Sequence, residues 1–305
     1  MPCYNAAAHL PTSVGSVQAQ TMHDWELIAV NDGSSDDTLA WLHQQTDPRI
    51  KVIDQQNGGV SQARNAGLAA ARARHVAFLD ADDTWVSSFL ERMSAALDNR
   101  PDAILAYCGW QNLGLSSRRS EPFIPPDYET PDKAEILFAG CRWPIHAALA
   151  QREAVLAAGG FDDHLKNAED FALWLRVATR APIVCVPEVL AYYHHHDGTQ
   201  ASSHHARAAM QQFQAQQAYL LQHPEFRAAL GQRARPLMLG DLLKRGYACY
   251  WRRDLAGARQ IFRMVMRQGY GTLTDWKYML PAWLPLAWHR RLIHLRDATD
   301  QSTDG

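Results

Sequence analysis

Residues 25–37, Trp25-Glu26-Leu27-Ile28-Ala29-Val30-Asn31-Asp32-Gly33-Ser34-Ser35-Asp36-Asp37, set an apolar run directly against a turn rich in Asp, Gly and Ser. The run Trp25–Asn31 reads as a buried strand, and a helix follows over Thr38–Gln45. The alternation continues downstream. Ile50–Asp54 is the next strand, Gly58-Gly59 a loop, and Val60–Arg74 an Ala-rich helix. His75–Leu79 is a third strand ending in Asp80-Ala81-Asp82-Asp83, and a helix runs from about Ser87 to Asn99. This spacing predicts an α/β fold, a mostly parallel sheet with helices on both faces. Ligands of such sheets sit at the carboxyl ends of the strands, where both acidic clusters fall. Residues 101–200 are less regular. Residues 116–131 read as a Pro-rich loop, Glu169–Arg180 as a helix, and Ile183–Pro187 and Val189–Tyr193 as strands. Beyond about Ser203 the pattern is helical, so the chain divides into 1–203 and 204–305.

Composition narrows the classes. The chain has 305 residues, 47% of them hydrophobic, enough for a sizeable core. A formal charge of -2 gives no global pull toward nucleic acid. Five cysteines without CxxC spacing argue against a disulfide framework or zinc cluster and read as small buried hydrophobes in a reducing compartment. No run of about 18 apolar residues predicts a transmembrane helix. The N-terminus lacks the basic start and apolar run of a signal peptide, so a cytoplasmic location is expected.

The chemistry-bearing residues lie at the strand ends. Asp80 and Asp82, at i and i+2, offer the hard oxygen ligands that Mg²⁺ or Mn²⁺ prefers; a solvated acidic turn is the plainer reading, and helix capping is the reading of Asp83. Asp32 follows a buried strand, where its carboxylate can meet a base or ribose, while Asp36 or Asp37 caps the next helix. Gly58 and Gly59 let the backbone approach a ligand closely. Arg64 follows within reach of a phosphate or base. Glu169 and Asp170 are either first-turn acids complementing a helix dipole or, at Asp170, a general base. Of the three histidines His194, His195 and His196, followed by Asp197, at most two share a strand face and can converge on a metal.

Taken in order, these pieces resemble family 2 glycosyltransferases of the GT-A fold over about residues 1–200. The matching segments are Pro2-Cys3-Tyr4-Asn5, Asn31–Thr38, Gly59–Gly67, Phe78–Asp83, and Glu169-Asp170 with Leu173-Trp174. The resemblance implies an inverting transfer from a nucleotide-diphosphate sugar, UDP- or dTDP-linked, to a hydroxyl of a glycan or lipid-linked acceptor in envelope polysaccharide synthesis. It implies that Pro2, Tyr4 and Asn5 flank the base and ribose, that Asp32 binds the base edge and that Arg64 helps hold the nucleotide. Asp80 would contact ribose or the metal's water shell, and Asp82 would ligate the Mg²⁺ or Mn²⁺. Asp170 would be the catalytic base, with Glu169, Trp174 and Gly59 in support. His196 aligns best with the family's metal-completing His, and His194 stands where Arg is usual. The family's apolar strand before Pro-Cys-Tyr-Asn, central in its sheet, has no counterpart here, so either the start lies too far downstream or the sheet lacks an inner strand, and a marginal or truncated chain is expected.

Two competitors use similar folds. A sugar-activating nucleotidyltransferase would need a Gly-rich loop with a basic residue after the first strand, which Asn5-Ala6-Ala7-Ala8 is not. A non-catalytic nucleotide-binding scaffold would not need Asp80, Asp82 and Asp170 together. Toward the C-terminus, Leu237–Arg252 and Leu255–Gln268 predict an antiparallel helix pair, a small helical appendage. Residues 278–293 mix Trp, Leu and Arg, which suits peripheral contact with a membrane as well as packing on the domain.

Overall fold

The structure is a computed structural model that describes residues 1–114, 120–196 and 204–301, without the side chains of 294–301. Contacts group the chain into two units, Met1–Gln200 and Ala201–Gly305. The boundary expected near Ser203, like Asp197, lies outside the described residues.

In the first unit, β1 (Pro2–Cys3), β2 (Leu27–Asp32) and β3 (Ile50–Gln55) form an all-parallel sheet in that order. Every residue of β2 is buried, as its continuous apolar run requires of a strand covered on both faces. Helices α1 (Leu10–Gln18), α2 (Thr38–His43) and α3 (Val60–Ala70) lie between and after these strands. A second sheet is mixed. It comprises β4 (His75–Ala77), β5 (Thr84–Trp85), β6 (Leu105–Leu113), β7 (Ala148–Gln151) and β8 (Ile183–His194), in the order β4-β7-β6-β8-β5. β6 and β8 are parallel, while the β4/β7, β6/β7 and β5/β8 pairs are antiparallel. Helix α4 (Phe89–Asn99) packs on β6, β7 and β8. Helices α5 (Lys133–Ala139), α6 (Arg152–Ala157) and α7 (Glu169–Ala178) complete the unit. Phe89, Met93, Leu105, Tyr107 and Leu173 lie at the centre of the core.

The two strands expected over 183–193 are one. Its register against β6 shifts beside Gly109, so Pro187 and Glu188 bulge out without ending the strand. A Cβ at Gly109 would lie 2.9 Å from the Glu188 carbonyl oxygen, so the bulge requires glycine there.

Between the two sheets lies a cavity of about 300 Å³ lined by Met1, Ile28, Leu68, Phe78 and Leu149, among others. β1 pairs only with β2, and the buried Met1 ammonium donates to the Ile28 carbonyl at 2.9 Å. Burial depresses that ammonium's pKa.

The second unit contains α8 (His205–Gln222), α9 (Pro224–Leu230), α10 (Asp241–Trp251), α11 (Leu255–Arg267), α12 (Leu273–Met279) and α13 (Leu286–Gln301). The α10/α11 hairpin turns at Arg253, whose φ is +63°, and Asp254 caps α11 by accepting from the Gly257 N–H. The hairpin closes tightly because Gly246 faces Phe262 and Ile261, where a Cβ would stand only 2.8 and 2.9 Å away.

Candidate active site

Arg64 organises the centre of the first unit. Carried by α3 and almost fully buried, it donates to Asp80 Oδ1 at 2.6 Å and to Glu169 Oε1 at 2.9 Å. One guanidinium thus joins the loop after β4 to the start of α7, where Glu169 lies 105 residues from Arg64 in the chain. Burial opposes the charge on Arg64, but the two carboxylates outweigh it and raise its pKa. Burial likewise works against the charge on Asp80; Arg64 prevails and holds that carboxyl below its usual range.

Asp170 stands beside this cluster without a cation of its own. Its Oδ1 accepts from the Phe171 N–H at 2.6 Å. Burial in the cleft pushes its pKa up to about 7, with the neighbouring Glu169 charge adding to the effect. A carboxyl poised near neutrality, partly open to solvent, suits proton abstraction. The Cys141 thiol lies 3.9 Å from Asp170 Oδ2. All five cysteines are free, and Cys141 departs from the buried role expected of them because it is exposed at this lip.

Asp82 Oδ2 and His196 Nε2 are 3.0 Å apart, both side chains about one-third exposed. Two cis ligands of an octahedral cation with bonds of about 2.1 Å stand about 3.0 Å apart, so this pair fits two sites of such a shell. Phosphate and water oxygens would fill the others. The His9 ring stacks on His196 at 4.7 Å between centroids. His194 Nε2 instead meets Thr84 Oγ1 at 2.9 Å. Among the described residues, three side chains close enough together to share an ion occur only at Asp162, Asp163 and His164.

On the nucleotide side, Asp32 is buried and holds the glycine loop. Its oxygens accept from the Gly58 N–H at 2.9 Å, the Gly59 N–H at 2.8 Å and Gln55 Nε2 at 2.8 Å. Gly59 has φ +90°, a conformation that favours glycine at the start of α3. Asn5, at φ +48°, donates its N–H to Ser34 Oγ and accepts from the Ser35 N–H, stitching the first loop to the turn after β2. Pro2 lies in β1, and Tyr4 is exposed beside it. Asp36 accepts from the Thr38 N–H at the start of α2.

Two residues fall elsewhere than their sequence suggests. Trp174 is a core side chain. Asp83 does not cap a helix, because α4 begins at Phe89 with Ser88 at its N-cap. Asp83 is buried instead, with Oδ2 3.0 Å from His146 Nδ1. Burial raises the Asp83 pKa although His146 opposes the shift. His146 and His9 carried no sequence signal: each is a single His outside any recognisable motif.

The profile of "Glycosyl transferase family 2" matches residues 1–140. The chain is 33% identical over 183 residues to EpsJ of Bacillus subtilis, an uncharacterized glycosyltransferase, covering 56% of this chain and 52% of EpsJ. It therefore spans about half the length of that relative. It is 30% identical over 178 residues to Escherichia coli WfgD, a UDP-Glc:alpha-D-GlcNAc-diphosphoundecaprenol beta-1,3-glucosyltransferase, covering 58% of this chain and 67% of WfgD. Among solved structures, S. aureus TarS 1-349 in complex with UDP-GlcNAc aligns with a TM-score of 0.57 at 17% identity, over 87% of this chain and 82% of that one. The Pyrobaculum calidifontis mannosyltransferase PcManGT in complex with GDP-Man and Mn²⁺ gives 0.58 at 19% identity, over 92% and 76%. At these identities the likeness is one of fold, the GT-A class expected from the sequence.

Proposed function

Because the chain belongs to glycosyl transferase family 2, we propose that this transferase moves a sugar from a nucleotide-diphosphate donor to a hydroxyl of a glycan or lipid-linked acceptor, inverting the anomeric carbon. The observation that carries the mechanism is the Arg64 bridge, which joins Asp80 to Glu169 and leaves Asp170 beside them with a pKa near 7. Asp170 takes the proton of the acceptor hydroxyl as that oxygen attacks the anomeric carbon from the face opposite the departing diphosphate. Arg64 keeps Asp80 ionised and holds both Asp80 and Glu169 in place. Asp82 and His196 hold Mg²⁺ or Mn²⁺, which when bound neutralises the charge developing on the diphosphate. Pro2, Tyr4 and Asn5 flank the base and ribose. Asp32 supports them by fixing the Gly58-Gly59 loop, and one of its oxygens keeps a lone pair for a base N–H.

The donor is a UDP- or dTDP-sugar and the setting is envelope polysaccharide synthesis. WfgD, with its diphosphoundecaprenol acceptor, and the Myxococcus xanthus O-antigen biosynthesis protein RfbC support that setting. A screen of UDP-, dTDP- and GDP-sugars, read as nucleoside diphosphate release with Mn²⁺, tests the reading. Release from none of them, with or without a lipid-linked acceptor, would overturn it.

The enzyme works in the cytoplasm and contacts the inner face of the membrane through the second unit. No helix among the described residues is long and apolar enough to cross a membrane. Charge supports contact at the surface instead. Residues 204–305 carry 15 Lys and Arg against 7 Asp and Glu, formally +8, whereas residues 1–203 carry 15 against 25, formally -10. Trp283, Leu284, Trp288 and Leu292 are exposed, and the Arg263 and Arg267 guanidinium groups lie 5.3 and 5.5 Å from the Trp283 ring. Exposed aromatic side chains among arginines match the anionic interface of a bilayer. Flotation with phosphatidylglycerol vesicles, lost in phosphatidylcholine vesicles and in a Trp283→Ala/Trp288→Ala variant, is the expected result. Equal flotation of the variant would refute this contact.

A further inference from the structure

We infer that Asp83 and His146 form a buried dyad that positions the metal-binding pair, Asp82 and His196. This rests on the reading that Asp82 and His196 hold a divalent cation. Both members of the dyad are sealed from solvent, Asp83 at 1% and His146 at 0% exposure. Nδ1 of His146 lies 3.0 Å from Asp83 Oδ2, a close polar contact between two sealed side chains. The other carboxylate oxygen, Oδ1, accepts the backbone N–H of His194 at 3.0 Å. The backbone N–H of Asp83 donates to the Asp80 carbonyl at 3.1 Å. Asp83 therefore belongs to the acidic loop by its backbone and grips the end of β8 by its side chain, two residues before His196.

His146 is itself fixed from its own side. It lies in the short turn Ile145–Ala147 after Pro144, and its carbonyl accepts from Trp85 Nε1 at 2.7 Å. Its ring faces Tyr193 at 5.9 Å between centroids, nearly parallel. The need for such a clamp follows from the ladder. β5 has two residues and pairs with β8 only at Thr84↔Tyr192 and Trp85↔Ala191. β6 holds the other edge of β8 as far as Leu113↔His194, and the His195 N–H donates to the Leu113 carbonyl at 2.8 Å, but on the side of the acidic loop the β5 ladder ends at Tyr192. The Asp83 carboxylate continues the attachment past the last ladder pair, and the Thr84–His194 contact at 2.9 Å adds a second link. Sealing a carboxyl this completely is costly, and the contact with His146 offsets part of that cost. The 3.0 Å approach of His196 to Asp82 is the consequence of this clamp.

The test is a Mn²⁺ titration of the full chain followed by electron paramagnetic resonance, alongside UDP binding in EDTA and thermal melting. Asp82→Asn serves as the ligand control and should lose the bound ion. His146→Leu, which leaves Asp83 Oδ2 without its contact, should weaken Mn²⁺ binding by roughly 10–100-fold, the usual effect of removing a residue that orients a metal ligand. UDP binding in EDTA should stay at the wild-type level. His146→Gln, whose amide can still donate to Asp83, should restore most of the Mn²⁺ affinity. Thr84→Val, which removes the second link without unpairing a buried charge, should weaken Mn²⁺ binding several-fold at an unchanged melting temperature. Wild-type Mn²⁺ affinity in His146→Leu overturns the dyad's role; where that variant does not fold, wild-type affinity in Thr84→Val overturns the clamping of the β8 end on which that role depends. A wild-type chain that binds no Mn²⁺ overturns the metal reading itself, which is a different result.

Discussion

Replacing Asp170 by Asn should abolish transfer and, at neutral and higher pH, make the protein more stable. Burial, with Glu169 adding, moves the Asp170 pKa from 3.8 to about 7. That is roughly three units at about 1.4 kcal/mol each, a ceiling of ~4 kcal/mol. Asp170 is partly open to solvent, and its charged neighbours readjust when its charge is removed, so about 2 kcal/mol is the figure to expect. The sign follows from proton counting. Below about pH 4 the carboxyl is protonated both folded and unfolded and contributes nothing. Between about pH 4 and 7 the folded state keeps a proton that the unfolded state has lost, so stability drains as pH rises; above 7 the full cost applies. Asn carries no charge and escapes this drain. Wild type and variant should therefore melt within a degree or so of each other near pH 4, with the variant higher by roughly 5 °C at pH 8.

Two assays run together check this: melting from pH 4 to 8, and nucleoside diphosphate release over the same range. Wild-type kcat/KM should climb through about pH 7 as the base deprotonates, while Asp170→Asn stays inactive throughout. Melting curves that run parallel at every pH would show that the carboxyl is not held protonated. Turnover of the variant within tenfold of wild type would remove Asp170 from the base role, whatever its stability.

Three further outcomes are expected. EDTA should stop transfer and Mn²⁺ restore it, and His196→Ala should raise the Mn²⁺ requirement at least tenfold while His194→Ala raises it much less; equal effects would reverse that choice. Arg64→Met strands the half-buried Asp80 and the buried Glu169 carboxylates and should cost about 3 kcal/mol in urea unfolding, so a loss below about 1 kcal/mol would refute the bridge. Gly246→Val forces side-chain atoms onto Phe262 and Ile261 and should cost about 1–3 kcal/mol, visible as faster hydrogen exchange across α10 and α11 of the full chain; unchanged exchange would contradict their close packing.

Strands such as β2 and β3 are legible in the sequence because each is an apolar run bounded by turn residues; their parallel pairing buries the whole of β2 and half-buries most of β3. The second sheet was not legible to the same degree. β6 is followed by antiparallel pairing with β7, whose residues lie about 40 positions on, and neither segment has flanking turn chemistry that announces a hairpin. The segments Ile183–Pro187 and Val189–Tyr193 read as two strands but form one, because a bulge at Pro187-Glu188, for which Gly109 on the neighbouring strand makes room, carries the chain on. The acidic loop was found because carboxylates at i and i+2 after a strand are a local pattern. The role of Asp83 was missed because its partner His146 sits 63 residues away, a single His in an irregular stretch.

The choice of base shows what three-dimensional placement adds to such patterns. Asp80, Glu169 and Asp170 are all carboxylates that the sequence sets at strand or helix ends, and no local rule separates them. Arg64 separates them, because its two terminal nitrogens are already directed to Asp80 and Glu169. The Asp80 carboxyl, paired with that guanidinium, stays ionised far below neutrality and has little affinity for a proton. Asp170 receives the field of Arg64 without its hydrogen bond, and burial with the Glu169 charge overrides that field. A proton from an acceptor hydroxyl is therefore taken up most readily at Asp170. The base is selected by where one guanidinium ends, and moving that guanidinium, for instance by Arg64→Lys, should bring the proton affinities of Asp80 and Asp170 closer together before it alters the fold.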